Sequence, residues 1–370
     1  MTTPKAPHPI CVPVALGKRS YRVMIGPGLL AQAGELMARA LGAPRAFVVT
    51  NPVVHRLHGA TLARGLGGLQ AEVLLVPPGE RHKTLRRAGL LYDHLLARGA
   101  DRRSAVVAFG GGVIGDLAGF VAATYMRGVP YVQIPTTLLA QVDASVGGKV
   151  AVDHAKAKNL IGAFHQPRLV VADTEALCTL PPREYRAGLA EVVKHGVIAD
   201  PALFAWLEES AAALARREEG AVMHVVARSC EIKADVVRRD EREEGLRAIL
   251  NYGHTVGHAL EAVTGYRALR HGEAVAIGMV VAARLARGLG MCEQRECQRL
   301  ERLLEALNLP ARLPSVPASA LLRAMQADKK ALGGAPRLVL PRAIGRVEVV
   351  SGVRRSALRR ALVALGAQDR

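Results

Sequence analysis

"VVAFGGGVIGDLAGFVAA" (residues 106–123) decides how the first half of the chain is read. It opens as an apolar, β-branched run, turns through glycines and continues as a small-residue helix. Gly110, Gly112 and Gly115 fit G-x-G-x-x-G. Such glycines let backbone N–H groups approach a phosphate at the start of a helix. They suit a tight packing turn equally well. A standard dinucleotide site also carries an acidic residue on the following strand, about 20 positions on. Here that region reads "RGVPYVQIP", with no acid. A packing turn and a pyrophosphate cradle of non-standard type both stay open.

Outward from this run, short β-like segments alternate with helical ones. "RAFVVT" (45–50), "AEVLLVP" (71–77), "SAVVAFG" (104–110), "YVQIP" (131–135) and "RLVVAD" (168–173) are separated by stretches such as "TLRRAGLLYDHLLARG". That alternation predicts an α/β domain with a mostly parallel sheet and helices on both faces. "TLPPREY" (179–185) marks a boundary. Beyond it, "REYRAGLAEVVKHGVIA", "GAVMHVVARSCEIKADVVRRDE", "HGEAVAIGMVVAARLARGLG" and "ECQRLERLLEALNL" carry helical periodicity. The expected domains are an α/β domain over 1–180 and a mainly helical one over 181–370, with a small hairpin from "RLVLP" and "VEVVSG".

The totals restrict the function classes. A chain of 370 residues suits two domains, and half its residues are hydrophobic. Apolar runs end well before the roughly 20 residues of a membrane span. The N-terminus lacks the charged start and long apolar run of a signal peptide. A cytoplasmic protein with no membrane partner is expected. The five cysteines are scattered without a CxxC pair, against a disulfide framework or thiolate zinc site. The formal charge is +18, but the basic residues are mostly arginines spread along helices, and aromatics are 4% of the chain. That pattern argues against a nucleic-acid partner and leaves an Arg-rich bias of composition, first, and the pull on an anionic substrate, second, as explanations of the charge.

Several segments could carry chemistry. "IPTTLLAQVDASVGGKVAVD" (134–153) reads as a polar loop packed against a ligand, offering Thr136, Thr137, Asp143, Ser145 and Lys149. "KAKNLIGAFHQP" (156–167) adds Lys158 and Asn159. In "GLAEVVKHG", Glu191, Lys194 and His195 share one helix face, as a ligand set or as an exposed salt-bridging face. Lys233 sits in an apolar stripe, where it either snorkels or faces an internal polar site. In "RAILNYGHTVGHALE" (247–261), Arg247, Asn251, His254, His258 and Glu261 make one polar stripe, provided the helix reaches back to 247. Gly253 and Gly257 weaken that helix, so close approach of something is expected. Two or three histidines, counting His271, plus a carboxylate make a plausible divalent-metal set with an open position; satisfied structural histidines are the alternative.

Taken together, "GGGVIGDLAGFVAATYMRG", "IPTTLLAQVDASVGGK", "KNLIGAFHQP", "TLPPREYRAGLAEVVKHG", "LNYGHTVGHALE", "HGEAVAIGM" and "DKK" (328–330) resemble the 3-dehydroquinate synthase family along nearly the whole chain. The departures are small: "AKN" stands where GKN is common and "LNYGHT" where LNFGHT is common.

The resemblance implies an NAD-binding α/β domain, a helical domain, an active site in the cleft between them, and a homodimer. It implies Glu191, His254 and His271 as ligands of zinc or cobalt. NAD would lie against Gly111, Gly112, Asp116, Thr136, Thr137, Lys149, Lys158 and Thr179, with Asn51, Glu80 and Lys83 nearer the nucleotide end. Asp143, Lys149, Asn159, Lys194, Lys233, Arg247, Asn251, His258 and Lys330 match substrate-contacting positions, and Arg127 one that reaches across the dimer. The implied substrate is a phosphorylated seven-carbon keto acid, 3-deoxy-arabino-heptulosonate 7-phosphate. The implied chemistry is oxidation at C5, phosphate elimination, reduction, ring opening and intramolecular aldol closure. A sister sugar-phosphate cyclase is the nearest alternative.

Overall fold

The computed structural model of the chain describes residues 8–42, 45–155, 157–327 and 337–369. The strands are β1 Ile10–Val14, β2 Tyr21–Gly26, β3 Arg45–Thr50, β4 Gln70–Leu75, β5 Ala105–Gly110, β6 Tyr131–Pro135, β7 Lys149–His154, β8 Ala157–Phe164, β9 Leu169–Asp173, β10 Leu338–Ala343 and β11 Arg346–Val350. The helices are α1 Ala33–Leu41, α2 Pro52–Leu66, α3 Leu85–Ala97, α4 Gly112–Thr124, α5 Pro182–Ala199, α6 Pro201–Ala215, α7 Glu219–Arg239, α8 His254–Val263, α9 His271–Gly288, α10 Gln294–Ala306, α11 Ala318–Ala327 and α12 Arg355–Ala364.

Two compact units form. The first holds residues 1–181 and 222–242; the second holds 182–221 and 243–370. The second unit is therefore not the single stretch 181–370 expected from periodicity, because most of α7 packs with the first. Helical periodicity states that a segment buries one face, not which neighbour covers it.

In the first unit seven strands form one sheet in the order β1-β2-β9-β6-β5-β3-β4. Only β1 runs antiparallel to its neighbour; the other pairs are parallel. Apart from half-buried Arg45 at the start of β3, the central strands are buried throughout, as parallel strands covered on both faces must be. One face packs α3 and α4 through Phe47, Leu91, Val106, Leu117 and Val121. The other packs α1 and α2 through Met37, Leu62, Val107 and Ile134. Helix starts follow from local chemistry. Asn51 caps α2 by accepting the Val53 and Val54 N–H groups, with Pro52 in the first turn. Thr84 caps α3 through the Arg87 N–H.

Two readings are corrected here. The strands β1 and β2 were not anticipated; β1 contains Pro13, tolerated because it lies on the sheet edge. The segments 134–153 and 156–167 are not loops throughout. Ala140–Ala144 forms a π-helical turn, and β7 and β8 pair antiparallel as a ribbon. Their alternation is short and diluted by glycine and lysine, with only Val150 and Val152 fully buried on β7.

The second unit is built around α9, which packs α5, α8, α10, α12 and β10. The hairpin β10–β11 forms as expected. No helix among the described residues is long and apolar enough to cross a membrane. All five cysteines are free thiols, Cys11 and Cys178 exposed and the other three buried.

Candidate metal centre and active-site residues

Three helices of the second unit bring Glu191, His254 and His271 together. Glu191 lies mid-way along α5, while His254 and His271 are the first residues of α8 and α9. Glycines allow this convergence. A Cβ at Gly272 would lie 1.9 Å from the Ala187 carbonyl oxygen, and one at Gly278 would lie 2.0 Å from that of Gly253. Helix backbones thus touch where any larger residue would hold them apart. The body that approaches Gly253 is α9 itself: Gly253 adopts φ +78°, and a Cβ there would meet Met279 and the Val275 carbonyl at 2.7 Å. That left-handed residue also ends the expected stripe. Leu246–Asn251 is a separate 3-10 turn, so Arg247 and Asn251 do not continue α8.

Both histidines aim Nε2 at one carboxylate oxygen, each 3.6 Å from Glu191 Oε1. Two ligands about 2.1 Å from a tetrahedral ion lie about 3.4 Å apart. The observed spacing fits a metal better than direct hydrogen bonds. The opposite ring nitrogens are held. His254 Nδ1–H donates to the Tyr252 carbonyl at 3.1 Å, and His271 Nδ1–H to Glu261 Oε2 at 3.2 Å. Such partners fix the tautomer so that Nε2 presents its lone pair. A second group, His258, Glu261 and His271, also lies within ligating distance. The Glu261 contact to Nδ1 is that of an orienting carboxylate, which favours the first set.

The electrostatics agree. Glu191 is fully buried, and so are Lys194 and His195 beside it, so this is not an exposed face. A buried carboxylate costs several kcal/mol without cationic partners. Lys194 supplies one ion pair. Burial alone would lower His271, but the nearby Glu191 carboxylate and the hydrogen-bonded Glu261 outweigh it and push the ring up to about 10. His254 is held well below the ordinary imidazole value by burial, with Glu191 opposing. His258 flanks both rings, at centroid distances of 5.5 and 5.9 Å. Asn251 Nδ2 donates to Glu243 Oε1 at 2.8 Å, and Arg247 is 2% exposed.

The first unit gathers the other residues. Gly111 and Gly112 open α4 directly after β5. A Cβ at Gly110 would meet Ile114 at 2.9 Å, at Gly115 the Gln133 amide at 3.0 Å, and at Gly119 Val150 at 2.3 Å. At Gly112 the nearest atom would be Ala144 Cβ at 3.6 Å. Close packing therefore accounts for most of the turn's glycines, whereas Gly112, at the start of α4, has ordinary room beside it. Thr136 and Thr137 face this turn; the Thr136 N–H donates to the Gly110 carbonyl, and a Cβ on Gly111 would touch Thr137 at 3.0 Å.

Lys83, 3% exposed, is the hub of a polar cluster. Its ammonium lies 2.6 Å from Asn159 Oδ1, 2.8 Å from Glu80, 3.1 Å from Asp116 and 3.8 Å from Asp153. Burial opposes its charge, but these acids outweigh it and hold Lys83 well above the usual lysine range. Lys158 lies 3.9 Å from Glu80. Thr179 Oγ1 and His58 Nε2 are 2.7 Å apart. Lys233 does face a polar site: it donates to the carboxylate and the carbonyl of Asp143. Lys149 opens β7 after Gly147 and Gly148, both at positive φ. Arg127 is exposed, with left-handed backbone at φ 66°. Lys330 lies outside the described residues. Sequence reading missed Tyr252 as a histidine orienter, since a backbone carbonyl leaves no mark in a sequence. It included Glu261 in the polar stripe without seeing its partner.

A mostly parallel, covered sheet followed by a helical unit is the fold shared with solved sugar-phosphate cyclases. ValA, the 2-epi-5-epi-valiolone synthase of Streptomyces hygroscopicus subsp. jinggangensis 5008, solved with NAD+ and Zn2+ bound, superposes with a TM-score of 0.87 at 32% identity, covering 95% of this chain and 98% of that one. A 2-deoxy-scyllo-inosose synthase complexed with carbaglucose-6-phosphate, NAD+ and Co2+ gives 0.88 at 26% identity, covering 95% and 99%. The family models for the 3-dehydroquinate synthase N-terminal and C-terminal regions match residues 73–187 and 188–331. The 3-dehydroquinate synthases of Pelotomaculum thermopropionicum and Halorhodospira halophila are each 52% identical over 350 residues, covering 94% and 95% of this chain and 94% and 98% of theirs. The chain belongs to the 3-dehydroquinate synthase family.

Proposed function

We propose that this chain converts 3-deoxy-D-arabino-heptulosonate 7-phosphate to 3-dehydroquinate and phosphate, with NAD and a divalent zinc or cobalt ion. The observation that carries the reading is 52% identity over nearly the full length of curated 3-dehydroquinate synthases, joined to the Glu191–His254–His271 geometry. The 32% and 26% identities to the two other cyclases are lower, which favours the dehydroquinate reaction over theirs.

Bound NAD supplies a hydride acceptor and donor, and the metal a Lewis acid at the oxidised hydroxyl. The residues do the rest. Glu191, His254 and His271 hold the ion, with Tyr252 and Glu261 setting the rings. Gly111, Gly112, Thr136 and Thr137 receive the dinucleotide at the start of α4, with Asp116, Lys158, Thr179, Asn51, Glu80 and Lys83 about it. Lys149, Asn159, Lys194, Lys233, Arg247 and Asn251 supply donors and positive charge for the substrate's carboxylate, phosphate and hydroxyls. Asp143 orients Lys233. His258, beside the metal set and not part of it, holds or passes a proton at the reacting carbon. The working form in this reading is a homodimer in the cytoplasm, with Arg127 reaching the partner's substrate phosphate.

The test is phosphate release from the heptulosonate phosphate with catalytic NAD, before and after chelation, with the product identified by enone absorbance once a dehydratase is added. Chelator-sensitive release with dehydroquinate formed and no net NADH is the expected result. A folded, metal-loaded, NAD-binding protein that releases nothing from this substrate, but does turn over another sugar phosphate, overturns the assignment.

A further inference from the structure

We infer that Asp153 is a positioning residue for Asn159 and, through it, for substrate recognition. The inference rests on the reading above in which Asn159 touches substrate.

Asp153 sits at an irregularity in the β7–β8 ladder: the register shifts between the pairs Val152↔Ile161 and His154↔Ala157. Bulges of this kind re-aim a side chain and occur beside functional sites. Besides a side-chain hydrogen bond with Glu80, three contacts lead from it. Its carboxylate accepts the Asn159 N–H at 2.8 Å. Its own N–H donates to the Lys83 carbonyl at 2.7 Å. Its Oδ1 lies 3.8 Å from the Lys83 ammonium. The carboxyl therefore grips the backbone of one partner and faces the charge of the other.

Asn159 needs the grip. It adopts φ 53°, a left-handed conformation that asparagine tolerates but that strained backbone leaves unless held. Its backbone is held by Asp153, and its amide by Lys83 Nζ at 2.6 Å from Oδ1. An ammonium can only donate, so it fixes which way the amide points. The Oδ1 acceptor turns inward and the two Nδ2 hydrogens turn out, on a residue that is exposed. The result is a donor pair of fixed polarity, suited to a carboxylate, phosphate or hydroxyl oxygen. Asp153 itself is only 15% exposed at its side chain and acts from behind.

The experiment is a double-mutant cycle on the NAD- and metal-loaded enzyme, with Asp153→Ala, Asn159→Ala and the pair. Loss of one charge-assisted hydrogen bond at a strained residue should raise KM for the heptulosonate phosphate about tenfold or more in Asp153→Ala. NAD affinity, read by fluorescence quenching, should stay within about threefold, because Lys83 keeps Glu80 and Asp116. The double variant should be no worse than Asn159→Ala alone, as for residues acting in series. Asp153→Asn keeps an oxygen acceptor and should retain most of the affinity for substrate, which also covers the case that the alanine variant does not fold. Multiplying effects, an unchanged KM in Asp153→Ala, or Asp153→Asn as damaged as a full deletion of Asn159 would each overturn the inference. An Asn159→Ala enzyme with unchanged kinetics would instead remove Asn159 from the site, and the inference with it.

Discussion

The two units carry their chemistry in opposite ways. In the first, the helix start at Gly111–Gly112 follows directly from β5, and its useful groups are backbone N–H donors that need only a small residue beside them. In the second, Glu191, His254 and His271 come from three helices. Nothing local makes them neighbours; glycines that let helix backbones touch do. The proposed dinucleotide site is a property of one turn, whereas the proposed metal site is a property of packing. Each should fail in its own manner.

The largest effect is expected at the assembled site. Glu191→Gln or His271→Ala should leave the enzyme without bound metal and lower kcat/KM by about a thousandfold or more. Metal content by atomic absorption and turnover by phosphate release check both halves. Full activity in the His271 variant removes that residue from the ligand set. Next comes the packing itself. Gly272→Ala would place a Cβ 1.9 Å from the Ala187 carbonyl, forcing α5 and α9 apart. Overpacking of this kind costs about 1–3 kcal/mol or more. A lower melting temperature and weakened metal binding should appear together; loss of stability with metal affinity intact would separate the glycine contact from the site.

The turn in the first unit should behave differently. Gly112→Ala meets nothing closer than 3.6 Å, so the fold should keep its melting temperature while NAD affinity falls about tenfold. Gly119→Ala, with Val150 at 2.3 Å, should destabilise the unit instead, by about 1–3 kcal/mol. Titration calorimetry with NAD beside thermal melts would expose a reversal of that order, and with it a purely structural role for Gly112.

The smallest expected effect is a pH dependence in the first unit. His165 donates Nε2–H to the Val129 carbonyl at 3.0 Å and stacks on Tyr131. Burial lowers its folded pKa below 6.5. The unfolded chain therefore binds more protons below about pH 6.5, and stability is lost as pH falls through that value toward the folded one. His165→Gln should show a smaller drop in melting temperature between about pH 7.5 and pH 5 than the parent protein. Other histidines titrate in both proteins alike, so the difference isolates His165; identical slopes would mean that its ring does not carry the dependence.

Legibility followed the same division. The strand–glycine–helix unit, five of the sheet strands and the boundary at "TLPPREY" could be read because their signals are contiguous. The β7–β8 ribbon could not, since its buried alternation is two valines deep. Most of α7 was given to the wrong unit, because an amphipathic period is indifferent to partner. His254 and His258 drew attention by spacing alone, but spacing could not divide them. The split between ligand and neighbour came from family resemblance; the Nδ1 contacts of His254 to Tyr252 and of His271 to Glu261 support it as a proposal.

By itself, then, the sequence determined which groups this protein has to work with: a glycine turn between strand and helix, a histidine pair, carboxylates and lysines on helical segments, and the ordered blocks of a known family. Those are local properties, set by residue type and by neighbours a few positions away. Only the tertiary structure decided which nitrogen of each histidine is presented, that Glu191 is sealed from water, and that Lys83 and Asp153 hold Asn159 in a left-handed turn. These depend on hydrogen bonds between residues distant in the chain. Their geometry exists only once helix and strand backbones have closed to contact.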